Sequence, residues 1–209
     1  MRIETVERSI HRLGGWAALA ASVAVYSGLL RGMRHPRGRI VGTTPAVVKA
    51  FTRGSPAVFI PLTVGSLGFL YALWRPLTPG LSGAPRLAAT IAGAMLYFPG
   101  LALMVWGRVN MGEMHNVSTT VAVELYADHR LVTSGPFAWV RHPMYVGGIL
   151  AELGALLLYR TWTALLIAFN VPILMLRARL EEQALAAEFG EQWADYQSRV
   201  PMWIPRFGR

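Results

Sequence analysis

The chain has 209 residues, of which 54% are apolar and only 15% charged, and it contains no cysteine. A soluble domain of this size carries about 25% charged residues, so the deficit points to a membrane protein. Disulfides, thiolate metal sites and cysteine nucleophiles are excluded. The five histidines have no metal-ligand spacing, so no metal site is expected.

Three long uncharged blocks come first. Leu13–Leu30 holds 18 residues, Gly54–Trp74 holds 21 and Leu87–Gly107 holds 21. Each suits a membrane helix, which needs about 20 mostly apolar residues. Pro61 and the Pro99-Gly100 pair interrupt two of them, as is common in lipid. Leu13–Leu30 reads as an uncleaved span rather than a signal peptide, because Arg31, Arg34, Arg37 and Arg39 follow it at once. Six of the twenty basic residues fall between Arg31 and Arg53 with no acid among them. Between apolar spans, such a run fits an anionic membrane surface and not nucleic acid.

Residues 108–142 form a polar segment. Pro143–Tyr159 and Thr161–Leu176 are then two short apolar blocks separated by Arg160. Each would extend about 25 Å as a helix, short of a hydrocarbon core. They predict a tight hairpin that enters and leaves at one face. Residues 177–209 are charged again. Six Lys and Arg residues fall on one side of this arrangement and fourteen on the other. Because positive charge stays inside, the N-terminus is expected outside and the C-terminus in the cytoplasm. Residues 108–142 and 177–209 then flank the open end of the hairpin.

The expected fold is an all-α integral membrane protein with five transmembrane helices, the last two a hairpin, followed by a cytoplasmic C-terminal segment. The whole chain 1–209 reads as one membrane domain. Its parts are three spans (1–107), a cytoplasmic loop (108–142), the hairpin (143–176) and a cytoplasmic helix and tail (177–209). Trp16, Trp74, Trp106 and Trp162 fall near span ends, as an aromatic belt would. Glu152 lies inside an apolar block, where an ionisable group is a candidate for function, although a place near one end of a short span would also explain it. Asn116-Val117-Ser118 matches a glycosylation pattern by chance, since it falls on the expected cytoplasmic side.

Two stretches carry chemistry. The first runs from His129 to Gly148, HRLVTSGPFAWVRHPMYVGG. Leu131-Val132-Thr133 favours extended chain, and Gly135-Pro136 signals a turn. Arg141-His142-Pro143 opens the fourth helix, with Pro143 suited to its first turn. Exposed amides there favour an anion. The second stretch, Arg177 to Pro201, continues the last span as a charged helix. Arg177 and Glu181 are four apart and share a face, where they can also simply pair at a membrane boundary.

Both stretches resemble the isoprenylcysteine carboxyl methyltransferases and their bacterial relatives. The family's H-x-LVTSG…RHP-x-YxG segment reads here as His129 to Gly147. Its R-x-x-x-EE…FG…Y-x-x-x-VP helix reads as Arg177 to Pro201. Phe137 and Trp193 replace tyrosines of that pattern. The resemblance covers roughly the C-terminal 80 residues and is weak over 1–106.

The resemblance implies a pocket for S-adenosylmethionine contacted by His129, Leu131, Val132, Gly135, His142, Tyr145, Glu182 and Tyr196, with Arg177 and Glu181 at the reacting centre. The implied substrate is a lipophilic small molecule or lipidated partner bearing a carboxylate, reached among membrane lipids, in the inner (plasma) membrane of a bacterium. A carboxylate is ionised at neutral pH and needs no base, which suits a motif without a Ser-His or Cys-His pair. Three alternatives stay open. The acceptor is an amine or thiol, with His115 or His129 as base; the protein is an NADPH-dependent membrane reductase; or it is a non-enzymatic stabiliser of a partner.

Overall fold

The computed structural model describes residues 3–34, 40–41, 56–77, 80–115, 125–126 and 129–206. Most of the basic run after Arg34 and the Asn116 sequon lie outside them.

Six α-helices carry the described residues: α1 (Ile3–Arg34), α2 (Pro56–Ala72), α3 (Gly83–Met111), α4 (Pro143–Tyr159), α5 (Trp162–Ala168) and α6 (Val171–Arg199). A two-residue antiparallel pair, β1 (Ile40–Val41) with β2 (Leu125–Tyr126), and an isolated bridge between Pro76 and Thr161 are the β-structure among the described residues. Two of the helices, α1 and α3, outrun their apolar blocks. α1 begins ten residues before Leu13 and α3 reaches Met111, because a backbone already hydrogen-bonded in a helix continues into polar sequence at little cost.

Two described helical stretches, Gly83–Met114 and Trp162–Arg199, are long and apolar enough to cross a membrane, and Pro143–Tyr159 is a shorter apolar helix. Large apolar side chains face outward along the bundle, among them Trp16, Val64, Met95 and Phe169, each more than half exposed. So many exposed apolar side chains suit lipid rather than water.

The centre of the molecule is the α3–α4 seam. Gly93 and Gly100 of α3 face Gly154, Gly147 and Ala151 of α4, and Gly107 faces Met144 and Pro143 at its start. A Cβ added to Gly100 would lie 2.6 Å from the Ala151 amide nitrogen, and one added to Gly147 would lie 2.6 Å from the Gly100 oxygen. The backbones touch, which is how helices associate in lipid, where close packing must replace the hydrophobic effect. Tyr97, Ala151 and Leu158 form the buried core of this seam. Tyr97 Oη donates to the Gly14 oxygen, which ties α1 to it.

The hairpin turns at Arg160, whose backbone is left-handed (φ 50°). Thr161 then caps α5, its hydroxyl accepting from the Ala164 amide at 3.2 Å. The expected fifth span, Thr161–Leu176, is not one helix. It breaks at Phe169–Asn170, and α6 restarts with Pro172 in its first turn. Proline has no amide to give the Ala168 carbonyl, so the helical ladder is interrupted there. A second break sits at Gly190 (φ 48°), which turns the last ten residues of α6 back toward α4.

Candidate active site

The start of α4, the extended run before it and the polar half of α6 meet around a cavity of about 490 Å³. Asn110, at the end of α3, donates from Nδ2 to the Ser134 oxygen at 2.9 Å. This fixes the run 129–134 where Gly135 (φ 58°) turns it into a 3-10 turn, Gly135–Ala138. Tyr196 Oη donates to the Phe137 oxygen at 2.7 Å and docks the end of α6 on that turn.

Arg141 is the clamp. Its amide donates to Pro201 O at 2.9 Å, and its Nη1 donates to Val200 O at 2.6 Å. Its Nε and Nη2 grip both oxygens of Glu182, at 2.7 and 3.2 Å. The guanidinium lies 5.8 Å from the Trp193 ring centroid. A bidentate, half-dry pair of this kind fixes orientation as well as charge. Glu182 also takes His142 Nε2 at 3.2 Å. Burial alone would raise the Glu182 pKa, but the His142 and Arg141 bonds together hold it below the usual carboxylate range. With its Nε2 so engaged, His142 presents Nδ1 toward Glu181 Oε2 at 3.9 Å. Its ring lies between those of Tyr145 and Trp203, with centroids at 5.6 and 5.7 Å.

A second chain of contacts lines the same cavity. Arg177 Nε donates to Tyr145 Oη at 2.8 Å, and Tyr145 Oη donates to Glu181 Oε1 at 2.5 Å. Arg177 Nε is 3.5 Å from Glu181 Oε1. The i,i+4 pairing read from sequence is therefore present but routed through a tyrosine of another helix. Burial raises the Glu181 pKa; Tyr145, His142 and Arg177 oppose that rise without cancelling it.

Of the residues singled out in the sequence, His129, Leu131, Val132, His142, Tyr145, Arg177, Glu181 and Tyr196 line the cavity. Gly135 and Glu182 do not: Gly135 shapes the turn and Glu182 holds Arg141 and His142 from behind. Sequence reasoning gave no role to Arg141, whose partners lie more than forty residues away. It also passed over Asn170, which joins Glu152 in the cavity wall. A polar residue inside an apolar block was the one signal for it.

These features define an apolar helical bundle with a charged small-molecule pocket at one end. Residues 93–187 match the model of the isoprenylcysteine carboxyl methyltransferase (ICMT) family, the one the motifs suggested. The Protein-S-isoprenylcysteine O-methyltransferase of Tribolium castaneum is 36% identical over 98 residues, 43% of this chain and 33% of that protein. The Schizosaccharomyces pombe protein of the same name is 37% identical over 90 residues, 42% of this chain and 38% of that one. The matched stretch thus spans little more than a third of these relatives. Methanethiol S-methyltransferase 1 of Bradyrhizobium diazoefficiens is 28% identical over 169 residues, 78% of this chain and 57% of that protein. Among solved structures, the eukaryotic intramembrane Ras methyltransferase ICMT aligns with a TM-score of 0.48 and 24% identity, covering 73% of this chain and 53% of that one.

Proposed function

We propose that the protein is an S-adenosylmethionine-dependent methyltransferase acting on a lipophilic acceptor at the cytoplasmic face of a membrane, with five spans and the N-terminus outside. The observation that carries this reading is the Arg177–Tyr145–Glu181 chain lining a cavity beside the braced His142. The cavity is of a size that takes a small molecule. Its lining suits this cofactor: Glu181 offers negative charge to a sulfonium, the rings of His142, Tyr145 and Tyr196 flank an apolar slot, and the N-terminus of α4 offers amides to a carboxylate.

In this reading His129, Leu131, Val132, Gly135, His142, Tyr145, Glu182 and Tyr196 hold the cofactor, Gly135 and Glu182 by shaping the walls. When bound, S-adenosylmethionine supplies an electrophilic methyl group. Arg177 holds the acceptor carboxylate in line with it and offsets its charge. Glu181 and Tyr145 keep the guanidinium in place. The carboxylate arrives ionised, so no side chain has to remove a proton.

A thiol acceptor is the second reading. It is favoured by the match to a thiol methyltransferase over 78% of the chain and by the raised pKa of Glu181, which makes that carboxylate a better base. Purified protein in lipid nanodiscs, given radiolabelled S-adenosylmethionine with octanoate or octanethiol, tests both. Transfer to octanoate that Arg177→Ala abolishes supports the first reading. Transfer to octanethiol that survives Arg177→Ala but not Glu181→Gln supports the second. Stabilisation by NADPH and not by S-adenosylmethionine would overturn both.

A further inference from the structure

Tyr145 and Arg177 have counterparts seven residues away on each helix. Glu152 follows Tyr145 by two turns of α4, and Asn170 precedes Arg177 by two turns at the head of α6. Asn170 Nδ2 donates to Glu152 Oε1 at 3.0 Å. The same two helices are therefore bridged by two polar contacts about 10 Å apart along their axes, and all four residues line the one cavity. Between them the wall is apolar: Met104, Gly148, Ile173 and Leu174. Gly148 leaves this stretch open, since a Cβ there would meet only Leu174, at 3.7 Å.

The inner contact is incomplete. Glu152 Oε2 is buried and has no hydrogen-bond partner among the described residues. An unsatisfied carboxylate oxygen at the apolar end of a cavity is costly. The chain accepts that cost in a wall where leucine or alanine would pack. A ligand that brings a donor to Oε2 removes it.

We infer that Glu152, oriented by Asn170, is the specificity residue for the methyl acceptor and recognises a hydrogen-bond donor, a hydroxyl or ammonium, at the far end of its apolar body. This rests on the methyltransferase reading for the word acceptor, and on the cavity alone for the binding. The acceptor is then two-headed. Its methyl-accepting group lies at Arg177 and its donor lies about 10 Å away at Glu152, with roughly eight methylenes between them along the apolar wall.

The test uses the full chain in nanodiscs and five probes: octanoate and octanethiol, each with its ω-hydroxy counterpart, and ω-aminooctanethiol. Binding is read by thermal stabilisation and turnover by label transfer from S-adenosylmethionine. The expected result is that the ω-hydroxy compounds bind about tenfold more tightly to the wild type, the worth of one hydrogen bond to a charged group. Glu152→Leu should erase that preference while leaving stabilisation by S-adenosylmethionine unchanged. Should that variant not fold, Glu152→Gln keeps the volume and the acceptor oxygen. It should retain the preference for ω-hydroxyoctanethiol but lose that for ω-aminooctanethiol. Equal binding of the hydroxylated and plain compounds by wild type, or a preference that persists in Glu152→Leu, overturns the inference. Donor-dependent binding without methyl transfer would keep Glu152 in this role and sink the methyltransferase reading instead.

Discussion

Both ends of the α3–α4 bundle hold a buried carboxylate between basic side chains, and the two ends have different uses. At the end away from the pocket, Glu7 of α1 is 3% exposed. It pairs with Arg86 at 2.5 Å and with Arg160, while Thr90 Oγ1 also donates to it. His11 Nε2 meets the Leu158 oxygen beside it at 3.0 Å. These contacts close on one another and join three helices. At the pocket end, Arg141, His142 and Glu182 form a comparable brace, but Tyr145, Arg177 and Glu181 open onto a cavity. The residue types hardly differ. Whether they act as a staple or as a site is decided by the space beside them.

The comparison breaks most sharply at Arg177. Arg177→Ala should lower methyl transfer to a carboxylate about 10²–10³-fold, an effect of about 3–4 kcal/mol on the transition state, with the melting temperature little changed. If turnover falls only as far as stability does, Arg177 is a staple like Arg160. Glu7→Gln should do the reverse. It strands two arginines and should cost about 2 kcal/mol of stability, reduced from the fully buried case because Arg86 is partly exposed. Turnover per folded molecule should hold.

His115 offers a pH-dependent test at the pocket end. Burial, helped by the charge of Arg108, lowers its pKa from 6.5 to about 4. The unfolded chain therefore binds a proton that the folded one refuses between those values. Stability should be complete above about pH 6.5 and fall as the pH drops toward 4, by about 2 kcal/mol at pH 5. His115→Gln should flatten that slope in thermal melts from pH 7.5 to 5. An unchanged slope would place the acid sensitivity elsewhere. The smallest expected effect is that of Tyr145→Phe, which removes the hydroxyl between Arg177 and Glu181 and should slow transfer about tenfold, mostly in kcat. A change in KM alone would mean that Tyr145 binds substrate rather than positioning Arg177.

Much of this was legible one residue at a time. Pro143 at a helix start, the turn at Gly135 and the Arg177–Glu181 spacing are local statements, set by backbone geometry within a few residues. The apolar blocks marked the helices but not their ends. The break at Pro172 went unread because an apolar run outweighs a single proline in a span. Glu182 was read as a cofactor-site residue; the structure sets it outside the cavity lining, bonded to Arg141 and His142, a placement that depends on where Arg141 arrives from.

The sequence by itself determined that the chain is an apolar helical protein, and it marked the two polar segments that carry the pocket motifs. Those properties follow from composition, periodicity and short-range spacing. Only the tertiary structure decided which polar residues share a space. Tyr145 meets Arg177 and Glu152 meets Asn170 because two helices far apart along the chain lie side by side. The approach of α3 to α4 depends on Gly100 and Gly147 facing each other with nothing between them. Contacts of that kind belong to pairs of distant residues, and no window along one chain contains them.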